Sequence, residues 1–326
     1  MKAPAFWYRP ASLSAFALEP LAQAYKAGSK IRRFFAKPAK APVPLICVGN
    51  VTAGGAGKTP TALAMGRLLK HEGAKPVFVS RGYGGHEKGP LLVDPRIHKA
   101  ADVGDEPLLL AAYAPCWIGR DKVETIRAAS ASATHIILDD GMQNPTIAPD
   151  VALLVIDGTA GIGNGHVLPA GPLRETLEEA MARATAVIIV GKDEHLLTKR
   201  LTKPFFEARL LPHIGDDFPD LKPYFAFAGI ARPEKFFASC HEVGLKLREM
   251  KSFPDHHAYT TEELESLVQG AEGKNLQLLT TMKDWVRLPD AFKPKVAALE
   301  VELTFRDPMG LLHTIQSSTL AARDPS

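Results

Sequence analysis

The chain has 326 residues, of which 46% are hydrophobic and 23% charged, a balance typical of a globular protein large enough for two domains. Its three cysteines lie far apart, which argues for a reducing compartment and against a disulfide framework or a zinc site. No apolar run approaches the roughly 20 residues that a membrane-spanning helix needs. The net charge of +3 conceals a strongly basic N-terminal end.

Residues 1–40 carry eight lysines and arginines against a single acid, together with many bulky apolar side chains. Pro10 and Pro20 each stand where a helix can begin, so the sequence predicts short helices over 11–19 and 21–35. Bulky apolar groups beside lysine and arginine are typical of a segment that lies on an anionic membrane. A helix packed on the body with a solvated basic face is the second interpretation, and nucleic-acid binding is a less favoured third.

A glycine-rich stretch follows a predicted buried strand over 44–48 and precedes a predicted helix over 60–70. In this phosphate-binding loop (P-loop) arrangement, backbone N–H groups converge on phosphate oxygens at a helix N-terminus. We expect Lys58 to reach the outer phosphates and the Thr59 hydroxyl to bind Mg²⁺. Thr52 stands where the strict motif has glycine. The sequence therefore predicts a nucleoside triphosphate site made of Thr52, Ala53, Gly54, Gly55, Ala56, Gly57, Lys58 and Thr59.

Apolar strands alternate with helices in the following part of the chain. The strands are predicted over 76–80, 116–118, 135–138, 151–156 and 186–190, and the helices over 108–113, 121–133 and 175–183. This alternation indicates an α/β fold of the P-loop NTPase type, with a parallel sheet and helices on both faces. Residues 161–175 form a long loop rich in glycine and proline, and loops of that length are usually functional.

The composition turns polar and turn-rich near residues 212–223, which indicates a domain junction. A second unit of alternating strands and helices follows from residue 224. The predicted organisation has three parts, namely a basic, aromatic helical segment over 1–40, a P-loop kinase core over 41–215, and a smaller C-terminal α/β domain over 222–326 that closes over the active site.

Two acidic pairs stand where a strand ends or a helix begins. Asp139 and Asp140 end an apolar strand, where a carboxylate beside a P-loop faces Mg²⁺, and the alternative is a cap of the next segment. Asp105 and Glu106 precede a proline, which is a common helix start. A kinase acting on an alcohol also needs a carboxylate to accept the hydroxyl proton and a further oxygen ligand for the metal, so both interpretations of this second pair stay open.

His256 and His257 follow an aspartate in a predicted loop. An imidazole beside acids and a phosphate site can tune a catalytic base or act as one, while a plain surface loop accounts for the same pattern. Three arginines in or beside loops, Arg81, Arg120 and Arg174, are candidates for binding anionic groups of a substrate. Salt bridges within the protein are an equal alternative for each of them.

Taken together, these motifs resemble the tetraacyldisaccharide 4′-kinases, the lipid A 4′-kinase family of Gram-negative bacteria. The resemblance covers nearly the whole chain, and the family's loop begins with threonine, which accounts for Thr52. The matching motifs are FW (6–7), PVPLICVGNVTAGGAGKTP (42–60), SRGYG (80–84), GDEP (104–107), LDDG (138–141), GN (163–164), LPAGPLRE (168–175), AGI (228–230), F-x-D-H (253–256) and T-T-x-K-D (280–284).

The resemblance implies transfer of the γ-phosphate of ATP, with Mg²⁺, to the 4′-hydroxyl of a tetraacylated glucosamine disaccharide 1-phosphate, which gives lipid IVA. It implies Asp105 as the base, assisted by His256, with Lys58 as the third catalytic residue. It associates Glu106 with the metal, alongside the predicted metal ligands Thr59, Asp139 and Asp140. The residues expected to bind the substrate are Arg81, Asn164 and Arg174.

The sequence departs from the family pattern at two places. Asn144 stands where the family usually has histidine, and Met282 stands where it usually has glutamate, so no role is expected at either position. The implied location is peripheral, on the cytoplasmic face of the inner membrane, held by the N-terminal segment, with no nucleic acid and no obligate protein partner. A P-loop nucleotide switch or metal-delivery protein is the alternative, although it usually carries a guanine-reading motif and a cysteine or histidine cluster.

Overall fold

The computed structural model describes residues 4–9, 12–213 and 222–324. The strands in these ranges are β1 (Ala39–Lys40), β2 (Leu45–Asn50), β3 (Pro76–Ser80), β4 (Leu91–Leu92), β5 (Cys116–Ile118), β6 (His135–Asp139), β7 (Ile147–Ala148), β8 (Val151–Asp157), β9 (Ala186–Val190), β10 (Phe205–His213), β11 (Tyr224–Ala228), β12 (Leu247–Ser252), β13 (Gln277–Thr281) and β14 (Val296–Phe305). The α-helices are α1 (Leu13–Phe34), α2 (Lys58–His71), α3 (Ala100–Val103), α4 (Asp105–Ala111), α5 (Lys122–Ser130), α6 (Leu177–Arg183), α7 (Pro233–Glu242), α8 (Thr261–Glu272), α9 (Met282–Trp285) and α10 (Pro308–Arg323).

Twelve of these strands form one sheet, in the order β12-β11-β13-β14-β10-β9-β8-β2-β6-β3-β5-β4. The pairs from β9 through β8, β2, β6 and β3 to β5 are all parallel. Strands β2, β3, β8 and β9 are buried along their whole length, as expected for continuous apolar runs covered by helices on both faces. The predicted parallel α/β fold is thereby confirmed.

Strand β14 joins the two halves of the sheet. Its first residues, from Val296 to Leu299, pair in parallel with β13, and its later residues, from Glu300 to Phe305, pair antiparallel with β10. Strand β10 was not predicted from the sequence, because it carries no continuous apolar run and only Ala208 in it is buried. We call residues 39–213 the first lobe and residues 222–299 the second lobe.

The end of the chain returns to the first lobe. Leu303 of β14 and Leu311, Leu312 and Ile315 of α10 belong to the same buried core as Ile46 of β2. The predicted C-terminal domain over 222–326 therefore does not hold as one packing unit, because its last part completes the core of the first lobe. The junction predicted between 215 and 222 lies largely outside the described residues and stays a prediction.

Helix α1 is one continuous helix, whereas the sequence predicted two. Pro20 lies inside it and is exposed, so its ring points away from the protein and the helix loses one hydrogen bond without ending. Pro10 and residue 11, where the first predicted helix was to begin, lie outside the described residues. None of the described helices has both the length and the apolarity that crossing a bilayer requires.

Candidate active site

The P-loop connects β2 to α2 and is held in shape by Asn50, the last residue of β2. The Asn50 side chain is fully buried, and its amide nitrogen donates to the Thr52 carbonyl at 2.7 Å. Its amide oxygen accepts a hydrogen bond from Lys58 Nζ at 3.1 Å. Gly57 directly before α2 has a φ of 89°, which places the loop in the left-handed region that favours glycine. The structure thus brings the predicted phosphate-binding residues to one helix N-terminus.

The long loop over 161–175 borders the P-loop, as a functional loop would. The Ala53 amide donates to the Pro172 carbonyl at 2.7 Å, and the Arg174 amide donates to the Val51 carbonyl at 2.7 Å. Thr52 and Leu173 form an isolated antiparallel bridge. Backbone hydrogen bonds therefore hold the two loops together beside the P-loop.

Asp139 ends β6 next to the start of α2. Its Oδ2 accepts a hydrogen bond from Thr59 Oγ1 at 2.9 Å, and its Oδ1 is buried without a hydrogen-bond partner among the described residues. Burial raises the pKa of Asp139 to about 6. A buried, unpaired carboxylate oxygen beside a threonine hydroxyl is a set of hard oxygen donors that fits Mg²⁺.

Asp140 points to cations rather than to Thr59. Its backbone has a φ of 58°, and its carboxylate accepts hydrogen bonds from Arg174 Nη1 at 2.9 and 3.1 Å. Lys58 Nζ lies 3.7 Å from Asp140 Oδ2. Asp139 and Asp140 were both predicted as metal ligands, and the structure gives only Asp139 an oxygen without a partner. The predicted substrate contact of Arg174 stays a prediction, since its guanidinium is bound to Asp140 here.

The predicted catalytic pair is assembled across the two lobes. Asp105 lies in the first turn of α4, and its Oδ2 is 2.9 Å from His256 Nδ1 in the loop after β12. Burial raises the pKa of Asp105, but hydrogen bonds from His256 and Arg287 outweigh burial and bring that pKa down to about 2. The His256 backbone has a φ of 56°, and its N–H donates to the Gly229 carbonyl at 3.0 Å.

Arg287 is the residue of this cluster that the sequence did not reveal. Its side chain is 6% exposed, and its Nη2 donates to Asp105 Oδ2. Its Nη1 donates to Asp284 Oδ1 at 3.0 Å and to the Gly229 carbonyl at 2.9 Å. The only signal for it in the sequence is its place three residues after Asp284, at helical spacing from a family motif.

Glu106 is engaged by a cation in this structure. Its Oε1 lies 2.7 Å from Lys283 Nζ on α9 of the second lobe. The association of Glu106 with the metal stays a prediction. To bind a metal ion, its carboxylate would have to break the ion pair with Lys283 or use its other oxygen. Glu106 is nonetheless close enough to Asp139 for its negative charge to contribute, after burial, to raising the Asp139 pKa.

The structure places the other candidates as follows. Arg81 is exposed at the end of β3 and makes no ion pair with any described residue. The Asn164 amide donates to the Ala170 carbonyl at 3.0 Å, so its side chain is used to hold the loop over 161–175. His257 bonds to Glu263 at 2.9 Å and stacks on Phe253 with ring centroids 4.8 Å apart, which is a packing role.

A further ionic contact crosses between the lobes at the end of β8. Asp157 Oδ2 accepts hydrogen bonds from Arg232 at 2.9 Å and from Lys235 at 2.7 Å, both at the start of α7. Together with the contacts of Asp105 and Glu106, these ion pairs join the two lobes, and we call the region that they border the cleft. One wall of the cleft carries the P-loop and Asp139, and the other brings the imidazole of His256 to the buried carboxylate of Asp105.

Comparisons with known proteins give the family of the chain. The model of the tetraacyldisaccharide-1-P 4′-kinase family matches residues 14–319. The tetraacyldisaccharide 4′-kinase of Rhodospirillum centenum is 48% identical over 94% of this chain and 94% of that protein, and that of Bradyrhizobium sp. (strain ORS 278) is 44% identical over 99% of each. The crystal structure of LpxK from Aquifex aeolicus in complex with ATP is 26% identical, covers 94% of this chain and 99% of that one, and superimposes with a TM-score of 0.75. The chain belongs to the tetraacyldisaccharide-1-P 4′-kinase family.

Proposed function

We propose that the chain transfers the γ-phosphate of ATP to the 4′-hydroxyl of a tetraacylated glucosamine disaccharide 1-phosphate. The observation that carries this proposal is the contact of Asp105 with His256 in the same cleft as the P-loop. A phosphate site alone would fit many nucleotide-binding proteins, whereas a carboxylate held for proton transfer beside it fits phosphoryl transfer to an alcohol. The family membership supplies the identity of the alcohol.

On the nucleotide side, Lys58 and the N–H groups of the loop would stabilise the charge of the transferring phosphoryl group. Thr59 and Asp139 are the residues that would hold Mg²⁺, and the metal would neutralise negative charge on the phosphates. Binding of the cation would keep Asp139 ionised against the burial that raises its pKa. Lys58 would exchange Asn50 for phosphate oxygens when ATP binds.

On the acceptor side, Asp105 would accept the proton of the hydroxyl. A carboxyl with a pKa of about 2 is a weak base at neutral pH. This weakness is compatible with phosphoryl transfer, because its loose transition state needs little proton removal before the new O–P bond forms and acidifies the hydroxyl. His256 would hold the carboxylate in place and share the proton as the product forms.

The N-terminal segment would bring this site to a lipid surface. Helix α1 and the residue after it expose Leu13, Phe16, Phe34 and Phe35 by 77% or more, and the last two follow the basic residues of the last helical turn. Large apolar side chains that remain exposed beside lysine and arginine fit an anionic lipid bilayer better than a solvated helix. We therefore favour a peripheral position on the inner membrane, on the cytoplasmic face where ATP is available.

The proposed reaction is tested by incubating the protein with ATP labelled in the γ-phosphate, Mg²⁺ and the acylated disaccharide 1-phosphate. We expect label in the lipid, and none with Lys58→Ala or without Mg²⁺. Absence of label in the lipid, despite ATP binding by the folded protein, would contradict the proposal. Nucleotide hydrolysis that depends on a protein partner instead of on the lipid would favour the switch alternative.

A further inference from the structure

Helix α1 is attached to the first lobe mainly through charges. Along its length only Ala15 and Ala22 are buried, and both are small. Lys30 lies 3.3 Å from Glu179, Arg32 Nη2 donates to the Gln143 carbonyl at 3.0 Å, and Arg33 Nη2 lies 3.2 Å from Glu175 Oε2. The basic side chains near the C-terminal end of the helix thus contact the protein, while its large apolar side chains stay exposed to solvent.

Glu175 is the buried end of one of these contacts. It is 3% exposed and receives two guanidinium groups, from Arg33 on α1 and from Arg183 on α6. Its other oxygen, Oε1, accepts a hydrogen bond from Gln143 Nε2 at 3.0 Å. The same buried carboxylate therefore binds Arg33 and Gln143, so the position of Arg33 affects how firmly Glu175 holds Gln143.

Gln143 connects Glu175 to the nucleotide site. Its Nε2 also donates to the Asn50 carbonyl at 2.8 Å, and its Oε1 accepts from Arg174 at 3.3 Å. Asn50 holds Lys58, and Arg174 holds Asp140. A continuous set of hydrogen bonds therefore runs from Arg33 on α1 to Asn50 and Arg174, the residues that bind Lys58 and Asp140.

We propose that Arg33 is a positioning residue that couples the seating of α1 on a lipid surface to the binding of ATP at residues 52–59. This inference rests on the proposed function. When phosphates draw Lys58 away, Asp140 depends on Arg174 alone, and Arg174 depends on Gln143 and Glu175 for its place. A helix fixed on a membrane holds Arg33 against Glu175 and so favours that arrangement. Coupling of this kind is reciprocal, because each ligand must strengthen the other by the same factor.

The test measures both halves of the coupling with mixed vesicles of phosphatidylglycerol and phosphatidylcholine. ATP binding with Mg²⁺ is measured by calorimetry with and without vesicles, and vesicle binding is measured by co-sedimentation with and without ATP. We expect vesicles to tighten ATP binding by roughly fivefold, and ATP to tighten vesicle binding by the same factor. Arg33→Ala is expected to reduce both factors to about one, because a vesicle that fixes the helix can then no longer act on Glu175.

The matched control is Lys37→Ala, which removes one positive charge from an exposed residue of the same segment that has no ion pair among the described residues. Both variants are expected to lose vesicle affinity equally, but only Arg33→Ala is expected to lose the coupling. Arg33→Lys, which keeps the charge with poorer geometry toward a carboxylate, is expected to restore part of it. Circular dichroism checks that each variant is folded.

The outcomes separate this inference from the proposed function. If the wild type binds both vesicles and ATP but the factors equal one, the inference is overturned and membrane association stands. Equal loss of coupling in Arg33→Ala and Lys37→Ala would overturn it as well, because a general effect of charge would then be the cause. If the wild type does not bind vesicles at all, the proposed membrane association fails along with the inference, while the kinase reaction is unaffected.

Discussion

The two walls of the cleft are built in different ways. The phosphate wall comes from the first lobe, with Asn50, Lys58, Thr59 and Asp139 linked within one parallel sheet and the helix that follows β2. The acceptor wall exists only where the lobes meet, because Asp105 of the first lobe obtains its partners from the second. The groups of the first wall all come from one lobe, whereas the second wall depends on how the lobes are placed.

The energetics of the two carboxylates reflect this difference. Asp139 is buried with one oxygen unpaired among the described residues, and burial raises its pKa to about 6, so the cation that we propose there would supply the missing partner. At Asp105, burial raises the pKa, but the hydrogen bonds from His256 and Arg287 outweigh that effect and lower the pKa to about 2. On the proposed function, the phosphate wall would be completed by a ligand, whereas the carboxylate of the acceptor wall already has its partners within the protein.

The largest expected effect tests the phosphate wall. Lys58→Ala should lower turnover by at least about a thousandfold, because the ammonium stabilises charge that develops on the transferred group. The melting temperature should change little, since Lys58 bonds to Asn50 and Asp140 at the site rather than filling a core. A folded variant with near-wild-type turnover in the lipid phosphorylation assay would show that this wall has been assigned wrongly.

The next effect tests whether Asp105 and His256 act as a unit. Asp105→Ala and His256→Ala should each lower turnover by roughly a hundredfold or more with little change in ATP affinity. The double variant should be scarcely worse than the poorer single variant, because both groups act on one proton. His257→Ala is the control and should be mild, as His257 bonds to Glu263. Fully additive losses would mean that the histidine works elsewhere.

A smaller effect is expected from the arginine that joins the lobes. Arg287→Gln removes a hydrogen bond that holds the Asp105 pKa low, so burial should raise that pKa and move the acidic limb of the kcat/KM profile to higher pH. In the wild type, a folded pKa of about 2 against an ordinary 3.8 contributes stability that is present above pH 4 and is lost between about pH 4 and pH 2.

The measurements for this variant are the pH dependence of turnover and acid unfolding followed by circular dichroism. Arg287→Gln should unfold at a higher pH than the wild type, since it loses the stability that the ionised Asp105 contributes. The matched control is Lys283→Gln, which breaks the neighbouring contact to Glu106 and removes a weaker effect of charge on the Asp105 pKa, but leaves the hydrogen bonds of Asp105 to Arg287 and His256 in place. An acid limb that moves in the control and stays in Arg287→Gln would contradict the assignment of Asp105.

The smallest effect on chemistry is expected from the N-terminal segment, which belongs to neither wall. Deleting residues 1–36 should weaken binding to anionic vesicles by at least about tenfold, with several basic side chains lost together. Binding of the intact protein should fall as salt rises, because part of the attraction is screened. Turnover on detergent-dispersed substrate should change much less. Vesicle binding that survives the deletion would make α1 an ordinary packed helix.

The phosphate wall was predictable because its residues are close in sequence and lie at the ends of strongly apolar strands. A glycine-rich turn between a buried strand and Lys58-Thr59 is rarely anything but a phosphate site. The same logic located Asp139 at the end of β6, although the sequence could not tell which aspartate lies against Thr59 and which against Arg174. That choice depends on the backbone of Asp140, whose left-handed conformation turns its side chain to Arg174.

The acceptor wall and the join between the lobes were harder to predict. Arg287 is separated from Asp105 by most of the chain, and nothing local distinguishes it from a surface arginine. Strand β14 is one continuous strand, yet its two ends pair with different neighbours. The apolar periodicity of a strand does not indicate which strands it pairs with. Helix α1 was predicted in two pieces because a proline usually starts a helix, and an exposed proline ring within one is tolerated.

The return of the chain to the first lobe has a consequence for biosynthesis. The core that holds β2 and α2 includes Leu303, Leu311, Leu312 and Ile315. On a ribosome these residues emerge after the whole second lobe, so the nucleotide-binding lobe cannot finish folding when its own strands have been translated. Until about a hundred further residues have been made, the edge of β10 lacks its partner β14 and the apolar face lacks α10. Nascent chains of this protein are therefore exposed to chaperones and proteases until α10 has been translated.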